Sequence, residues 1–166
     1  MKLYFLRHGA AEERRVGSGD FDRRLTESGI EEVKQIAAGL ARLLGDIDAA
    51  VSSPLPRALE TATIIVGQLH TEQSPLQVSD LLAAGNFGFR ELEEILRGAP
   101  SGCRILFVGH EPDLSNLVRE LTGASIEMKK VGLAYVEVYK LERGGGVLRW
   151  LLTPRHLILA GEQPPL

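Results

Sequence analysis

Two histidines in this chain each follow a short apolar run and precede a turn: His8 in Leu3-Tyr4-Phe5-Leu6-Arg7-His8-Gly9, and His110 in Val108-Gly109-His110-Glu111-Pro112. Open α/β sheets place their ligand crevice beyond the carboxyl ends of the strands, so an imidazole at a strand end stands where chemistry is done. Gly9 lets the backbone come close to a bound group. Arg7 adjoins the first histidine, and Arg57 follows Ser52-Ser53-Pro54-Leu55-Pro56 in the first turn of an expected helix. The macrodipole disfavours an arginine there unless an anion is near, so its position favours an anion site. Two guanidiniums and one imidazolium, that of His110, around a second imidazole make a pocket for a dianion, because planar Arg forks bind phosphate oxygens bidentately and stay charged. Neutral His8, its tautomer set by a backbone hydrogen bond, can then attack phosphorus and carry the phosphoryl group until water removes it.

The elements that must position these residues are legible in outline. After the first strand comes a charged loop, Glu12 to Arg24, and then a helix that either Thr26 or Ser28 can cap, Ser28 with Glu31 as a capping box. Ile30, Val33, Ile36, Ala37, Leu40, Leu43 and Leu44 keep helical spacing until Gly45 stops it. A short strand over Asp48 to Ser52 leads into a helix from Leu55 or Pro56 to about His70. Leu76 to Val78 reads as a short strand, Phe89 to Arg97 as a helix with Leu92, Ile95 and Leu96 on its buried side. Arg104 to Val108 is a continuous apolar run of the kind buried on both faces, followed by a helix from Pro112 to Leu121. Leu133 to Leu141 alternates and Val147 to Leu152 follows Gly144-Gly145-Gly146, which predicts a hairpin. Strands alternating with helices predict an α/β fold, a three-layer α/β/α sandwich on a mostly parallel central sheet. Three strand ends in such a sheet deliver Arg7 and His8, Arg57, and His110 to one crevice.

The bulk numbers narrow the classes. At 166 residues the chain is the size of one domain, 1–166, with room for a core that needs no disulfide or metal staple. A net charge of −3 with scattered Lys and Arg leaves no footprint for nucleic acid or an anionic membrane. The single cysteine, Cys103, excludes an internal disulfide and a multi-cysteine zinc site. The N-terminal apolar run breaks at Arg7, too short for a signal-peptide core, and no stretch approaches the roughly 20 apolar residues of a bilayer span. The expectation is a cytoplasmic monomer in a reducing compartment.

Four motifs in order carry a resemblance to a known family: Leu6-Arg7-His8-Gly9, Leu25-Thr26-x-x-Gly29, Ser52-Ser53-Pro54-x-x-Arg57-Ala58-x-x-Thr61-Ala62 and Gly109-His110-Glu111-Pro112. Together they resemble the histidine phosphatase (phosphoglycerate-mutase-like) superfamily and, within it, the small phosphohistidine phosphatases of the SixA type, from the first strand to about Pro154. The resemblance implies His8 as the phosphorylated nucleophile and Arg7, Arg57 and His110, with Gly9, as the phosphate pocket. It implies no metal and no cofactor, and as partners a phosphohistidine-containing protein substrate and phosphate. Two departures stand out. Arg24 replaces the proline that many relatives carry before Leu-Thr, beside Arg23. The carboxylate proton donor of larger relatives has one rough counterpart, Asp80. The long insertion that covers the site in the mutases is missing, which implies an open cleft suited to a protein-borne phosphoryl group.

Other residues read more plainly. Cys103 lacks the arginine six positions on that a cysteine phosphatase loop needs, and is a structural thiol. Gly144-Gly145-Gly146 lacks the following Lys-Ser/Thr of a nucleotide loop. His70 and His156 have no motif partners. Lys129-Lys130 is either a solvated pair or a dock for an acidic partner, and Glu111 either orients His110 or caps the next helix. Three functions fit the residues: a phosphohistidine phosphatase, a small-molecule phosphomonoesterase using the same pocket, and a non-catalytic phospho-group binding module, against which the intact histidines argue.

Overall fold

The computed structural model describes residues 1–13, 20–69 and 76–162. Its elements, in chain order, are β1 (Lys2–Arg7), α1 (Glu27–Leu44), β2 (Ala49–Ser52), α2 (Pro56–Gln68), β3 (Leu76–Val78), α3 (Phe89–Ile95), β4 (Arg104–Gly109), α4 (Asp113–Thr122), β5 (Leu133–Val138), β6 (Gly146–Leu152) and α5 (Pro154–Glu162). The six strands form one sheet in the order β3-β2-β4-β1-β5-β6. Strands β3, β2, β4 and β1 run parallel, β5 runs antiparallel to β1, and β6 turns back along β5 as the expected hairpin.

Alternation along the two central strands makes the three layers. Leu3 and Phe5 of β1, with Ile105 and Phe107 of β4, enter one apolar cluster with Leu92 of α3 and Leu114, Leu117 and Leu121 of α4. Tyr4 and Leu6, with Leu106 and Val108, enter the other, with Val33, Ile36 and Leu40 of α1, Ala62 and Ile65 of α2 and Leu157 of α5. Both faces of these strands are dry, which is why they read as unbroken apolar runs. The expected α/β/α sandwich is therefore the observed one.

Local signals place most boundaries. Thr26 caps α1, its hydroxyl accepting from the Gly29 N–H at 3.0 Å, while Ser28 lies inside the helix and Glu31 pairs with Lys34 instead of closing a capping box. Pro56 opens α2, where its missing N–H costs nothing. Helix α3 ends at Ile95, short of Arg97, and β5 ends at Val138, short of Leu141. The part of the charged loop at 14–19, His70 and the Pro-ending tail at 163–166 lie outside the described residues. Among the described residues no helix is long and apolar enough to cross a membrane.

Helix α5 is the element the sequence reading lacks. Only Leu157 in it is buried, and it docks on α1 by close backbone approach. A Cβ on Gly39 of α1 would stand 1.8 Å from the Leu157 carbonyl oxygen. Only glycine permits that contact. Gly39→Ala should therefore push α5 off α1 and lower stability by about 1–3 kcal/mol or more, as overpacking does. Gly67→Ala, in α2 with nothing within 4 Å of the new methyl, should instead add roughly 0.5–1 kcal/mol. Urea midpoints of the two variants moving in the same direction would contradict this account.

Candidate active site

The parallel register brings three strand ends together. Arg7 pairs with Gly109 and Ser52 with Val108, so His8, Ser53 and His110 each emerge one residue past a strand at the same sheet edge. The ladder continues into them: the His8 N–H donates to the Gly109 carbonyl at 3.1 Å and the Ser53 N–H to that of Val108 at 3.0 Å. Arg57 follows in the first turn of α2 and is only 3% exposed.

His8 is held in one tautomer. Its Nδ1 lies 2.7 Å from the Gly9 carbonyl oxygen, which can only accept, so Nδ1 carries the proton and Nε2 the lone pair. Arg57 Nε donates to that Nε2 at 3.3 Å. The turn beneath is fixed by α2, since the Gly9 N–H donates to Thr61 Oγ1 at 3.1 Å and the Thr61 hydroxyl donates to the Arg57 carbonyl at 2.7 Å. Gly9 is also needed for packing. A Cβ there would meet Val33 Cγ2 at 2.9 Å and Leu25 Cδ2 at 3.1 Å, on α1 and its approach.

Arg7 is clamped from the other side of the sheet. Its N–H donates to Gly132 and its carbonyl accepts from the Val131 N–H, both at 3.1 Å, while Nη1 donates to the Met128 carbonyl at 2.8 Å. Val131 holds φ at 48°, in the left-handed region that a β-branched residue rarely enters. Such strain collects at functional sites where the surroundings over-determine it. Arg7 Nε and His110 Nδ1 are buried without a hydrogen-bond partner among the described residues.

The His8 and His110 ring centroids stand 5.1 Å apart. Burial first, then the charges of Arg57, Arg7 and Arg23, push the His8 pKa down to about 4, against the Gly9 hydrogen bond that raises it. Burial, then His8 and Arg57, push that of His110 down to about 3. The expected imidazolium at His110 is thus corrected to a neutral ring: a cation is disfavoured in a dry site that already holds guanidiniums.

Asp20, which gave no signal in the sequence, lies across the arginines. Its Oδ2 accepts from Arg57 Nη2 at 2.6 Å and its backbone carbonyl from Arg57 Nη1 at 2.8 Å, while Oδ1 accepts from Arg23 Nη1 at 2.7 Å. Burial opposes its charge, but the Arg23 hydrogen bond and the Arg57 charge outweigh that and hold its pKa below the ordinary carboxylate value. The structure thus joins His8, Arg57 and His110, sets Arg7 beside them, and adds Asp20, Arg23, Ser53 and Thr61. Motif spacing carried Ser53 and Thr61 into view without a role.

Asp80 is exposed at the start of the 3₁₀ turn Asp80–Leu82, beyond β3, with no hydrogen bond or ion pair to the two histidines or Arg57 among the described residues. Glu111 caps α4, accepting from the Ser115 N–H at 3.1 Å and from its hydroxyl. Cys103 is buried just before β4, at the opposite end of the sheet from the histidines. Lys129 pairs with Glu127, and His156 Nδ1 meets Thr153. No three His, Cys, Asp or Glu side chains among the described residues converge as metal ligands.

The phosphohistidine phosphatase SixA of Escherichia coli is 25% identical over 160 residues, covering 96% of this chain and 98% of its own. An uncharacterised protein of Picosynechococcus sp. is 33% identical over 138 residues, 80% of this chain and 82% of that protein. A solved structure of the protein histidine phosphatase SixA complexed with tungstate shares the fold at a TM-score of 0.81 and 24% identity, covering 95% of this chain and 99% of that one. The model of the histidine phosphatase superfamily (branch 1) matches residues 3–95, over half of the chain and a span that includes His8 and Arg57, and the chain belongs to that superfamily.

Proposed function

We propose that the protein removes the phosphoryl group from phosphohistidine in a phosphorelay or phosphotransfer protein, without a metal ion, by way of a phosphoryl group carried on His8. One observation carries this reading: Nδ1 of His8 is tied to the Gly9 carbonyl, which leaves a neutral Nε2 facing the Arg57 guanidinium. The similarity to Escherichia coli SixA, itself named a phosphohistidine phosphatase, supports the choice of substrate.

In the reaction the Nε2 lone pair of His8 bonds to phosphorus as the bond from phosphorus to the substrate imidazole breaks, and the departing ring keeps that electron pair. Arg7, Arg57 and His110 hold the phosphoryl oxygens, replacing the solvent with donors already in place. Water then attacks phosphorus, the bond to Nε2 breaks, and phosphate leaves with the water oxygen and a released proton. The substrate must first displace the Asp20 carboxylate, which spans Arg57 and Arg23 as phosphoryl oxygens would. Asp80 is the candidate proton donor, and it lies exposed just beyond β3. An alkoxide leaving group needs a positioned acid, a contribution of about 10²–10⁴-fold, whereas an imidazole with a pKa of about 6.5 can leave protonated.

Rates measured side by side on a phosphorylated histidine domain and on alkyl phosphates test the proposal. Phosphohistidine should be preferred, chelators should leave the rate unchanged, and acid-labile label should map to His8. Equal efficiency on alkyl esters, with Asp80→Asn abolishing both activities, would favour the small-molecule esterase instead.

The lowered histidine pKa values give a pH test with a definite sign. The folded rings stay neutral where unfolded ones, at 6.5, take up protons, so their contribution to stability is intact above pH 6.5. It is lost as pH falls toward about 4 and 3. Imidazole resonances should titrate near those values, and the urea midpoint should drop between pH 7 and pH 4, less steeply in His110→Gln. Midpoints near 6.5 for both rings would refute the neutral pocket.

Asp20→Asn should move two quantities in opposite directions. Stability should fall because the buried Arg57 loses its anionic partner, and vanadate should bind about three- to tenfold tighter because its competitor is gone. Weaker vanadate binding would instead make Asp20 a part of the receptor.

A further inference from the structure

Ser53 is fully buried, and its hydroxyl oxygen lies 2.7 Å from His110 Nε2 while accepting a hydrogen bond from the Leu55 N–H at 3.2 Å. A serine hydroxyl has one proton to give. Among the described residues His110 Nε2 is the acceptor placed to take it. The opposite arrangement, with the ring donating to Ser53, would strand the hydroxyl proton in a dry site without an acceptor. Ser53 as donor puts the lone pair of His110 on Nε2 and the ring proton on Nδ1.

That assignment matters because Nδ1 is the buried ring nitrogen left without a partner among the described residues, on a ring whose centroid stands 5.1 Å from that of His8. A neutral imidazole offers one donor and one acceptor. With the lone pair on Nδ1 the ring would repel phosphoryl oxygens; with the proton there it binds them. We infer that Ser53 is a positioning residue which sets His110 as the Nδ1–H tautomer, so that a neutral ring still donates to the phosphoryl group. The inference rests on the phosphoryl-transfer reading above and adds to it the means by which His110 acts uncharged. The burial and guanidiniums that suppress the imidazolium make a tautomer-setting partner necessary, since an imidazolium would donate from both nitrogens whatever its neighbour.

Long-range proton–nitrogen correlation spectra of histidine-labelled protein read the tautomer directly, with His110→Gln assigning the resonances. The wild type should show His110 protonated on Nδ1 at neutral pH. Ser53→Ala should shift the proton toward Nε2 and lower kcat/KM on a phosphorylated histidine domain about ten- to hundredfold, mainly in kcat, with weaker tungstate binding and an unaltered circular dichroism spectrum. Ser53→Thr, which keeps the hydroxyl, should restore both. A wild-type ring protonated on Nε2 overturns the inference, as does a folded Ser53→Ala with Nδ1–H retained and full kcat/KM. If neither Ser53 variant folds, the wild-type tautomer still decides. Because that readout needs no turnover, a wild type inert on every phosphorylated substrate would count against the proposed reaction and leave the Ser53 assignment standing.

Discussion

A guanidinium at 3% exposure beside two imidazoles is the constraint around which this protein is organised. A cation taken out of water is costly unless its donors are met and its charge is answered. Three responses are visible. Asp20 spans Arg57 and Arg23 with its carboxylate, backbone carbonyls absorb donors of Arg57 and Arg7, and both histidines give up their protons. The carboxylate and the neutral rings lower the positive charge of the crevice, and the guanidiniums remain as its donors. The arrangement that is unfavourable in the resting fold is the one that favours an oxyanion, and the neutral imidazole it enforces is a nucleophile where an imidazolium would not be.

Such a pocket works only if its parts cannot relax, and the fold supplies the rigidity in layers. The backbone of His8 is an extension of the central ladder, its turn hangs on Thr61, and Thr61 in turn holds the Arg57 carbonyl. His8 and Arg57 are therefore braced against each other through one hydroxyl. On the opposite flank the strained Val131 closes a backbone clasp around Arg7. Groups anchored at strand ends and first turns hold their geometry better than groups on loops, whereas Asp20 sits in the short 3₁₀ turn Asp20–Asp22 and Arg23 just after it. Under the proposed reaction they are also the groups that a substrate moves.

Legibility in the sequence followed the range of the forces involved. The strands β1 and β4, the helix α1 and the hairpin were readable because alternation, helical spacing, caps and turn glycines are local signals. Helix α5 was not, because its docking depends on the bare backbone of Gly39, far away in the chain. At the site, His8, Arg7, Arg57 and His110 stood out as residue types at strand ends and a helix start. Their protonation states did not. Whether His110 is an imidazolium depends on burial and on which charges fold against it, and the sequence reading reached the wrong sign for that reason. Asp20 was invisible for a related one, since a carboxylate in a charged loop has no periodicity to betray it. The alternatives at Glu111 and at Thr26 against Ser28 turn on hydrogen bonds that Glu111 accepts from the Ser115 N–H and hydroxyl and Thr26 from the Gly29 N–H.

The position of β1 in the sheet also governs how the molecule comes into being. Its two neighbours are β4 and β5, which begin at Arg104 and Leu133, so the first strand made has no local partner. During synthesis at about 5–20 residues per second, roughly a hundred further residues must be added before the first of those edges can close, an interval of about 5–20 s. Through that time Leu3, Tyr4, Phe5 and Leu6 lack the strand partners that they have on both edges in the folded sheet. The carbonyls of Gly109 and Gly132 that anchor His8 and Arg7 also emerge late. The backbone bonds that fix His8 and Arg7 in the folded protein therefore cannot form until those residues have been made.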